Sequence, residues 1–432
     1  MSDDATLRMP PLVNAAIIAV GSELLTPTRL DTNSLFITEQ LNALGVDVVA
    51  KAVVGDDRRR LIEVFNAFRR QAGLIVFSGG LGPTDDDVTR EAVAAALDLP
   101  LKEDVQITAH LRARFAARGD TTPMPENNRR QAMVPEGAEV LENTRGSAPG
   151  LWIDNGEQVV LLLPGPPREM RPMLTALTAG PLRERTSGEV LLRRVLKIAG
   201  RIESQTDEVL QPLYREWLLQ TPPVAATILA QLGQLEVHLT ARDEARDRAN
   251  AALAAAVSQV LEALGDDVFS SNGQPLEEVV GELLVKRGWT IGAAESCTGG
   301  LITSRLTDIA GSSRYVMQSV VTYSNEAKVT LLGVSPDAIA EHGAVSEAVA
   351  LAMAAGMRSH AGVDVGIGVT GIAGPGGGTP EKPVGTVAVA AVTARMTRSR
   401  VFRFMGEREQ IKFQASQAAL DMVRRILLIP DS

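Results

Sequence analysis

The stretch Ala294-Glu295-Ser296-Cys297-Thr298-Gly299-Gly300 determines how the last third of this 432-residue chain is interpreted. Two further clusters of small and hydroxyl-bearing residues follow it, Tyr323-Ser324-Asn325-Glu326-Ala327-Lys328 and Gly368-Val369-Thr370-Gly371-Ile372-Ala373-Gly374-Pro375. The first and third clusters each begin where an apolar run ends, and a strand end of this kind opens its backbone N–H groups to an anion. The pattern therefore predicts a Ser/Lys hydrolase site on a scaffold that holds phosphate.

Ser296 and Lys328 are the predicted reactive pair. A serine hydroxyl is a weak nucleophile until a neighbour takes its proton, and a lysine takes it only when burial or a nearby cation lowers the lysine pKa. Each residue follows a predicted strand, so in a parallel sheet both would face the crevice at the carboxyl ends of the strands. The hydroxyls of Tyr323, Ser312, Ser313 and Thr370 are candidates for orienting this pair or binding a ligand. The amides of residues 368–378 are candidates for holding a phosphate or an oxyanion.

Cys297 is the alternative nucleophile and the only cysteine of the chain. Cysteine attack normally uses a paired histidine, and the four histidines of the chain show no recognisable pairing. The same scarcity argues against a Ser-His-Asp triad and a histidine-based zinc site. We therefore interpret Cys297 as a small buried residue. A loop rich in glycine and serine is also often only a turn, so the spacing by itself does not establish catalysis.

Composition predicts several folded domains in a cytoplasmic protein. The length suggests about three domains, and 45% hydrophobic residues are enough for packed cores. A net charge of −9 and an aromatic content of 3% give no footprint of a nucleic-acid-binding protein. The single cysteine excludes an intramolecular disulfide and favours a reducing compartment. Residues 1–11 lack a signal-peptide pattern, and no long apolar run predicts a membrane segment.

The order of apolar runs and helical patterns predicts an α/β protein. We expect two doubly wound α/β sandwich domains joined by a small α+β domain, with bounds at 1–170, 171–268 and 269–432. The first domain has a β-α-β-α-β pattern, which implies a parallel sheet. In that domain Asn155-Gly156 predicts a hairpin between two apolar runs, which adds an antiparallel edge. The middle domain shows a β-α-β-β-α order without a catalytic constellation, so it is interpreted as a connector or an interaction module.

The first third carries a second candidate site, Gly79-Gly80-Leu81-Gly82-Pro83-Thr84-Asp85-Asp86-Asp87, between a predicted strand and a helix. The glycines permit close approach of the backbone to a phosphate, and the carboxylates offer hard oxygen ligands to a divalent cation. The simpler alternative is a helix N-terminus that favours aspartate in its first turn. The loops that contain Gly21-Ser22-Glu23 and Asp31 favour the functional interpretation.

With these motifs in view, the last third resembles the CinA C-terminal family of nicotinamide mononucleotide deamidases. The resemblance rests on the three clusters above and on Gly311-Ser312-Ser313, Gly343-Ala344-Val345-Ser346 and Pro383-Val384-Gly385-Thr386-Val387. It implies hydrolysis of the carboxamide of nicotinamide mononucleotide to a carboxylate and ammonia, without a cofactor. Ser296 would be the nucleophile, with Ser313 as the alternative, and Lys328 the base. The other residues that the resemblance places in the site are Tyr323, Thr298, Gly299, Thr370, Gly371, Gly374 and Arg408, the last of them meeting the ligand phosphate.

The first third resembles the molybdopterin-binding fold, in the version that full-length CinA proteins join to the deamidase domain. Three further motifs extend the match, at residues 125–132, 146–150 and 164–170. One departure is Arg145-Gly146-Ser147, where the family usually has a glycine-threonine pair. The resemblance implies metal-dependent cleavage of the pyrophosphate of ADP-ribose, with Mg, Mn or Co as the metal. The residues so implied are Asp31, Asp87 and Glu23 for the metal, and Gly79, Gly80, Gly82 and Thr84 for the substrate.

Together these resemblances imply a bifunctional enzyme of pyridine-nucleotide salvage that acts on nicotinamide mononucleotide and ADP-ribose and forms a homodimer. Two alternatives stay open. The first is a molybdopterin nucleotidyltransferase whose C-terminal domain is regulatory. The second is a non-enzymatic role in DNA uptake or recombination, through a recombination-protein partner. Direct nucleic-acid binding is not expected because the chain shows no basic patch.

Overall fold

The computed structural model describes residues 10–116 and 124–430. Its contacts divide the chain into two compact units, Met1–Leu192 with Ala241–Ala251 and Arg193–Thr240 with Ala252–Ser432. The predicted α/β architecture with several sheets is confirmed. The expectation about the N-terminal residues falls mostly outside the described residues, and the three predicted domain bounds stay predictions.

The first region is an α/β sandwich around one six-stranded sheet. The sheet order is β2-β1-β3-β8-β7-β6, in which β2, β1, β3 and β8 are parallel and β7 and β6 form an antiparallel edge. A separate antiparallel pair joins β4 and β5. The strands are β1 (Asn14–Val20), β2 (Asp47–Val54), β3 (Leu74–Ser78), β4 (Leu101–Glu103), β5 (Met133–Pro135), β6 (Glu139–Leu141), β7 (Gly150–Asp154) and β8 (Val159–Leu163). The helices are α1 (Asn33–Ala43), α2 (Arg58–Phe68), α3 (Thr89–Ala96), α4 (Val105–Ala116), α5 (Pro167–Ala179) and α6 (Pro181–Glu184).

Burial explains why this sheet forms. Every residue of β3 and β8 is buried, as expected for central parallel strands that are covered on both faces. Separate apolar clusters fill the two faces, one around Phe65 and Phe77 and the other around Ile37 and Met170. The hairpin predicted at Asn155-Gly156 is confirmed between β7 and β8.

The middle region contains a four-stranded sheet in the order β10-β11-β9-β12. Its elements follow the predicted β-α-β-β-α order, with one more short strand at the end. They are β9 (Val190–Ile198), α7 (Glu203–Trp217), β10 (Val224–Gln231), β11 (Gln234–Asp243), α8 (Arg246–Leu264) and β12 (Val268–Ser270).

The last region is a second α/β sandwich around a five-stranded sheet in the order β14-β13-β15-β16-β17. The first three strands are parallel and the last two are antiparallel. The strands are β13 (Ile291–Glu295), β14 (Val316–Val321), β15 (Val365–Gly371), β16 (Thr386–Val392) and β17 (Thr397–Arg403). The helices are α9 (Leu276–Arg287), α10 (Leu301–Thr307), α11 (Asn325–Leu332), α12 (Pro336–His342), α13 (Glu347–Ala361) and α14 (Arg408–Leu427).

Two helical layers cover this second sheet. Apolar residues of α9, α10 and α14 pack on one face, and those of α11 and α13 pack on the other. Across the described ranges, no helix is both long enough and apolar enough to cross a membrane. The cytoplasmic location stays a prediction.

Candidate functional site

The sheet topology brings the three sequence clusters of the last third to one edge. Glu295 at the end of β13 lies opposite Val321 at the end of β14 and opposite Val369 near the end of β15. Because these strands are parallel, the residues that follow each of them meet at the carboxyl-end crevice. Ser296, the segment from Tyr323 and the loop after β15 therefore belong to one site.

Ser296 and Lys328 are in contact inside this crevice. Helix α11 begins with Ser324 as its N-cap, whose hydroxyl accepts from the amide of Ala327. One turn into α11, Lys328 points back under the strand ends and is only 1% exposed. Its Nζ lies 3.3 Å from Ser296 Oγ and 3.0 Å from the carbonyl oxygen of Thr322. Ser296 is 7% exposed, so the pair is shielded from bulk water but is reachable from the crevice.

Burial lowers the pKa of Lys328 from its ordinary value, because a charged ammonium loses its hydration there. Within the described residues, no carboxylate forms an ion pair with Lys328 that would hold the proton. The amine is therefore prepared to act as a base, which is the condition that a Ser/Lys pair requires.

Cys297 is buried, as predicted, and is 5% exposed. Burial raises the pKa of its thiol to about 12. The thiolate is the nucleophilic form of cysteine, so at neutral pH Cys297 stays protonated and unreactive. Among the described residues that line the cavity beside it, none is a histidine.

A cavity of about 250 Å³ opens above the pair. Arg408, the first residue of α14, stands at its rim and donates to the carbonyl oxygen of Gly374 at 2.7 Å and to the hydroxyl of Tyr323 at 2.8 Å. A guanidinium has five N–H donors, so donors are left for an anion. The predicted site residues that line the cavity together are Ser296, Lys328, Tyr323, Thr370, Gly371, Gly374 and Arg408.

Thr370 and Gly374 shape the wall of this cavity. The hydroxyl of Thr370 donates to the carbonyl oxygen of Ala344 at 2.8 Å, which fixes the 344–345 segment beside β15. Gly374 has a positive φ of 80°, and a Cβ there would lie 2.6 Å from Val384. Both the backbone conformation and the close packing therefore require glycine at this position.

Three predicted site residues lie away from the cavity. Ser313 is in a short 3-10 helix, is exposed and does not line the cavity, so it is not brought to Lys328. Thr298 is fully buried beneath the loop. The Gly299 amide donates to the carbonyl oxygen of Ser296, which makes it part of the turn that presents the serine.

Glu295 is a structurally important residue that the sequence analysis missed. Its fully buried carboxylate accepts from the amides of Gly300, Ile302 and Thr303 and from the Thr303 hydroxyl, at 2.7–3.1 Å. These amides lie at the N-terminus of α10, so they bind a carboxylate of the protein itself and are not open to a ligand anion. Glu295 precedes Gly300, the N-cap residue of α10, by five positions, so it does not stand at the usual capping position and the sequence contained no capping signal for it.

In the first region, the predicted glycine loop follows β3 and borders a cavity of about 350 Å³. Gly79 and Gly80 have positive φ values of 112° and 67°, and a Cβ at Gly80 would lie 2.1 Å from Thr89 Oγ1. Gly82 and Thr84 donate their amides to the carboxylate of Asp87 at 2.7 and 2.9 Å. Asp87 therefore holds the loop in shape.

The predicted metal ligands do not gather into one group. Asp31 accepts from the amide of Ser34 at the start of α1 and borders a neighbouring cavity of about 400 Å³. Glu23 borders both cavities, whereas Asp87 borders only the cavity of about 350 Å³. Among the described residues, no three His, Cys, Asp or Glu side chains are placed to hold a metal ion. The residues present do not fit a metal site made by protein alone.

Fold and site together define a two-part α/β protein, in which a glycine-loop sandwich is joined to a sandwich with a buried Ser/Lys pair. Family models match in the same order. They are described as "Probable molybdopterin binding domain" (16–184), "Damage-inducible protein CinA KH domain" (193–270) and "CinA C-terminal domain" (273–427). The chain belongs to the CinA family.

Curated relatives support this assignment over the whole length. A CinA-like protein of Koribacter versatilis is 46% identical over 419 residues, covering 96% of this chain and 100% of the relative. A CinA-like protein of Acidobacterium capsulatum is 45% identical, with coverage of 96% and 100%. A solved CinA superfamily protein from Klebsiella pneumoniae is 36% identical to this chain, with a TM-score of 0.35. The match covers 36% of this chain and 99% of the Klebsiella chain. Membership of this family is consistent with an enzyme.

Proposed function

We propose that the last region is an amidohydrolase that converts nicotinamide mononucleotide to nicotinate mononucleotide and ammonia. The observation that carries this proposal is the buried contact of 3.3 Å between Lys328 Nζ and Ser296 Oγ. A serine beside a lysine with a lowered pKa is a general solution for activating a hydroxyl without histidine. Amide hydrolysis is the reaction that the family resemblance implies for such a pair.

In the first half of the reaction, neutral Lys328 removes the proton of the Ser296 hydroxyl. Oγ attacks the carboxamide carbon of the substrate, and the carbonyl becomes a tetrahedral oxyanion. We propose the backbone amides of the glycine loop at 376–377, which lines the cavity, as the donors to this oxyanion. The C–N bond then breaks, Lys328 returns its proton to the leaving nitrogen, and ammonia departs. An ester between Ser296 and the nicotinoyl group is left.

The second half hydrolyses this ester by the same groups. Lys328, neutral again, takes a proton from a water molecule that attacks the ester carbon. The tetrahedral intermediate collapses, the proton returns to Ser296 Oγ, and nicotinate mononucleotide leaves with a carboxylate in place of the amide. One water is consumed and one ammonia is released, so the reaction balances without a cofactor.

Arg408 is the residue that we propose binds the phosphate of the substrate. It is an exposed residue that lines the cavity, with two donors engaged by protein oxygens. Its remaining donors make a charge-assisted contact to phosphate, which is stronger than a neutral hydrogen bond. The phosphate then fixes the nucleotide so that its ring carries the carboxamide towards Ser296.

The direct test is product analysis with the full-length protein. Incubation with nicotinamide mononucleotide should give nicotinate mononucleotide and ammonia in equal amounts, and nicotinamide riboside, which lacks the phosphate, should react much more slowly. Release of free nicotinamide in place of ammonia would mean that the glycosidic bond is cut, and the amidohydrolase proposal would be wrong.

For the first region we propose cleavage of the pyrophosphate of ADP-ribose to AMP and ribose 5-phosphate. Two adjoining cavities that share Glu23 and Gly165 support this proposal, since a two-phosphate ligand with a sugar at each end needs an extended site. The requirement for Mg, Mn or Co is proposed on the family resemblance alone. Product analysis with ADP-ribose, with and without a chelator, tests both parts, and an active protein in chelator would contradict the metal requirement. A homodimer and a recombination-protein partner stay predictions.

A further inference from the structure

A second cavity in the same compact unit lies apart from the Ser/Lys site. It measures about 820 Å³ and is formed by β17, by α14 and by residues of the middle region that include Gly200 and Gly233. None of the residues that line the Ser/Lys cavity lines this one. Its volume is within the range of about 300–1,000 Å³ that is typical of ligand sites.

One face of β17 gives this cavity its chemical character. Alternate residues of a strand point to the same side, so Arg398, Arg400 and Phe402 share a face with the following Phe404. The rings of Phe402 and Phe404 stack with centroids 5.3 Å apart and planes 10° apart. The Arg400 guanidinium continues this row, 4.9 Å from the centroid of Phe402. The wall is therefore a ladder of flat groups, two apolar and one cationic.

The cavity also has uncompensated positive charge. Arg425 is paired with Asp267 and Asp421, so the acidic residues of the lining are neutralised. Arg398 and Arg400, by contrast, are exposed and form no ion pair with any residue that the structure describes. Between 393 and 406 the sequence contains four arginines and no acidic residue, in a chain whose net charge is −9.

We propose that this cavity binds a nucleoside phosphate at a site separate from both proposed active sites. The phosphate is held by Arg398 and Arg400, because a guanidinium matches the geometry of phosphate oxygens. The base packs against the phenylalanine and guanidinium ladder, since aromatic side chains and arginine are the usual partners of a nucleobase face. An acidic peptide that pairs with the edge of β17 would contact the arginines. It would not account for the two parallel aromatic rings in a concave wall.

The test is equilibrium dialysis of radiolabelled AMP with the full-length protein. The double variant Arg398→Glu/Arg400→Glu is compared with Arg403→Glu, which reverses a charge on the opposite face of β17 and does not line the cavity. We expect the double variant to lose about tenfold or more of the affinity of one AMP-binding class, because charge-assisted hydrogen bonds are removed. Arg403→Glu should bind as the parent does. Turnover of nicotinamide mononucleotide should be equal in all three proteins, which also shows that they are folded.

Three results would overturn the proposal. AMP binding that is unchanged in the double variant would mean that the cavity is not the site. Inorganic phosphate that competes as well as AMP would leave only an anion site without nucleoside recognition. A single-stranded oligonucleotide that binds more tightly than AMP, and is lost in the same variant, would assign the cavity to nucleic acid. Weak competition by adenosine and by phosphate, each compared with AMP, is the result that supports a nucleoside phosphate.

Discussion

The amine of Lys328 lies 3.3 Å from the hydroxyl of Ser296, although the two residues are 32 positions apart in the chain. The parallel pairing of β13 with β14 produces this contact, because it places the segment after each strand at the same edge of the sheet. The carbonyl oxygen of Thr322 fixes the amine from the other side. The contact between Ser296 and Lys328 is thus built by the topology of the sheet, and burial lowers the pKa of the lysine.

The pH dependence of the deamidase reaction should follow Lys328. Only the neutral amine accepts a proton from Ser296, so kcat/KM for nicotinamide mononucleotide should rise with pH and level off once Lys328 is deprotonated. Because burial lowers the pKa of Lys328, the midpoint of this rise should lie below 10.5, the ordinary lysine value. A kcat/KM profile from neutral to alkaline pH measures it, and a profile that falls through this range would contradict the role of base.

The same pKa shift should appear in protein stability. The folded-state pKa of Lys328 is lower than the unfolded-state value, so between the two values the unfolded chain binds more protons. The free energy of unfolding of this region should therefore rise with pH in that window. Lys328→Met should remove this rise, whereas Lys286→Met, at an exposed position, should keep it. Equal slopes in the two variants, measured by denaturant unfolding, would be inconsistent with a buried lysine of lowered pKa.

Arg408→Ala should weaken substrate binding more than chemistry. The guanidinium stands at the rim of the cavity and does not contact Ser296 or Lys328 in the hydrogen-bond network, so KM should rise about tenfold to a hundredfold while kcat changes little. Steady-state kinetics with nicotinamide mononucleotide measure both constants.

Nicotinamide riboside provides the control for this prediction. Because it has no phosphate, its kcat/KM should be nearly the same in the parent and in Arg408→Ala. If the variant loses activity equally towards both substrates, Arg408 acts on the shape of the site, through Gly374 and Tyr323, and is not the phosphate contact.

Glu295→Gln should loosen the start of α10. The amide side chain presents an NH2 group where backbone N–H groups now donate to a carboxylate, and it also removes the charge that favours a helix N-terminus. We expect a local loss of about 2–4 kcal/mol, the usual cost of disrupting a buried, charge-assisted network. Hydrogen exchange at the amides of Ile302 and Thr303 should accelerate accordingly. Glu326→Gln, in the exposed first turn of α11, should leave exchange unchanged, and equal effects of both changes would disprove the cap.

Sequence reasoning predicted the strand ends well and the side-chain network less well. Alternation of apolar runs with glycine clusters is enough to place Ser296 and Lys328 at one edge, because the carboxyl ends of parallel strands all lie at the same edge of a sheet. The separation of Ser313 from Lys328 and the capping role of Glu295 depend on side-chain directions that no short motif encodes. The sequence also did not predict a site at the face of β17 that carries Arg398 and Phe402. This face becomes the wall of a cavity because residues of α14 and of the middle region line the same cavity, and the sequence of the strand does not show that.

Gly80→Ala should separate the two proposed activities. A Cβ at Gly80 would lie 2.1 Å from Thr89 Oγ1, and Gly80 has a positive φ of 67° that a residue with a Cβ rarely adopts, so the loop must deform. Cleavage of ADP-ribose should fall strongly while deamidation of nicotinamide mononucleotide is kept. Gly137→Ala is the matched control, because Gly137 also has a positive φ but nothing lies within 4 Å of its Cβ position. Normal ADP-ribose cleavage by Gly80→Ala would mean that the glycine loop does not hold the substrate.

The roles of Ser296 and Lys328 are tested by measuring ammonia release from nicotinamide mononucleotide by the parent protein, Ser296→Ala, Lys328→Ala and Ser313→Ala. We expect the parent and Ser313→Ala to be active, and the first two variants to lose about a thousandfold or more of kcat with their folds intact. Activity that survives in Ser296→Ala, or a parent that releases no ammonia, would contradict the assignment of Ser296 and Lys328 as the reactive pair of an amidohydrolase.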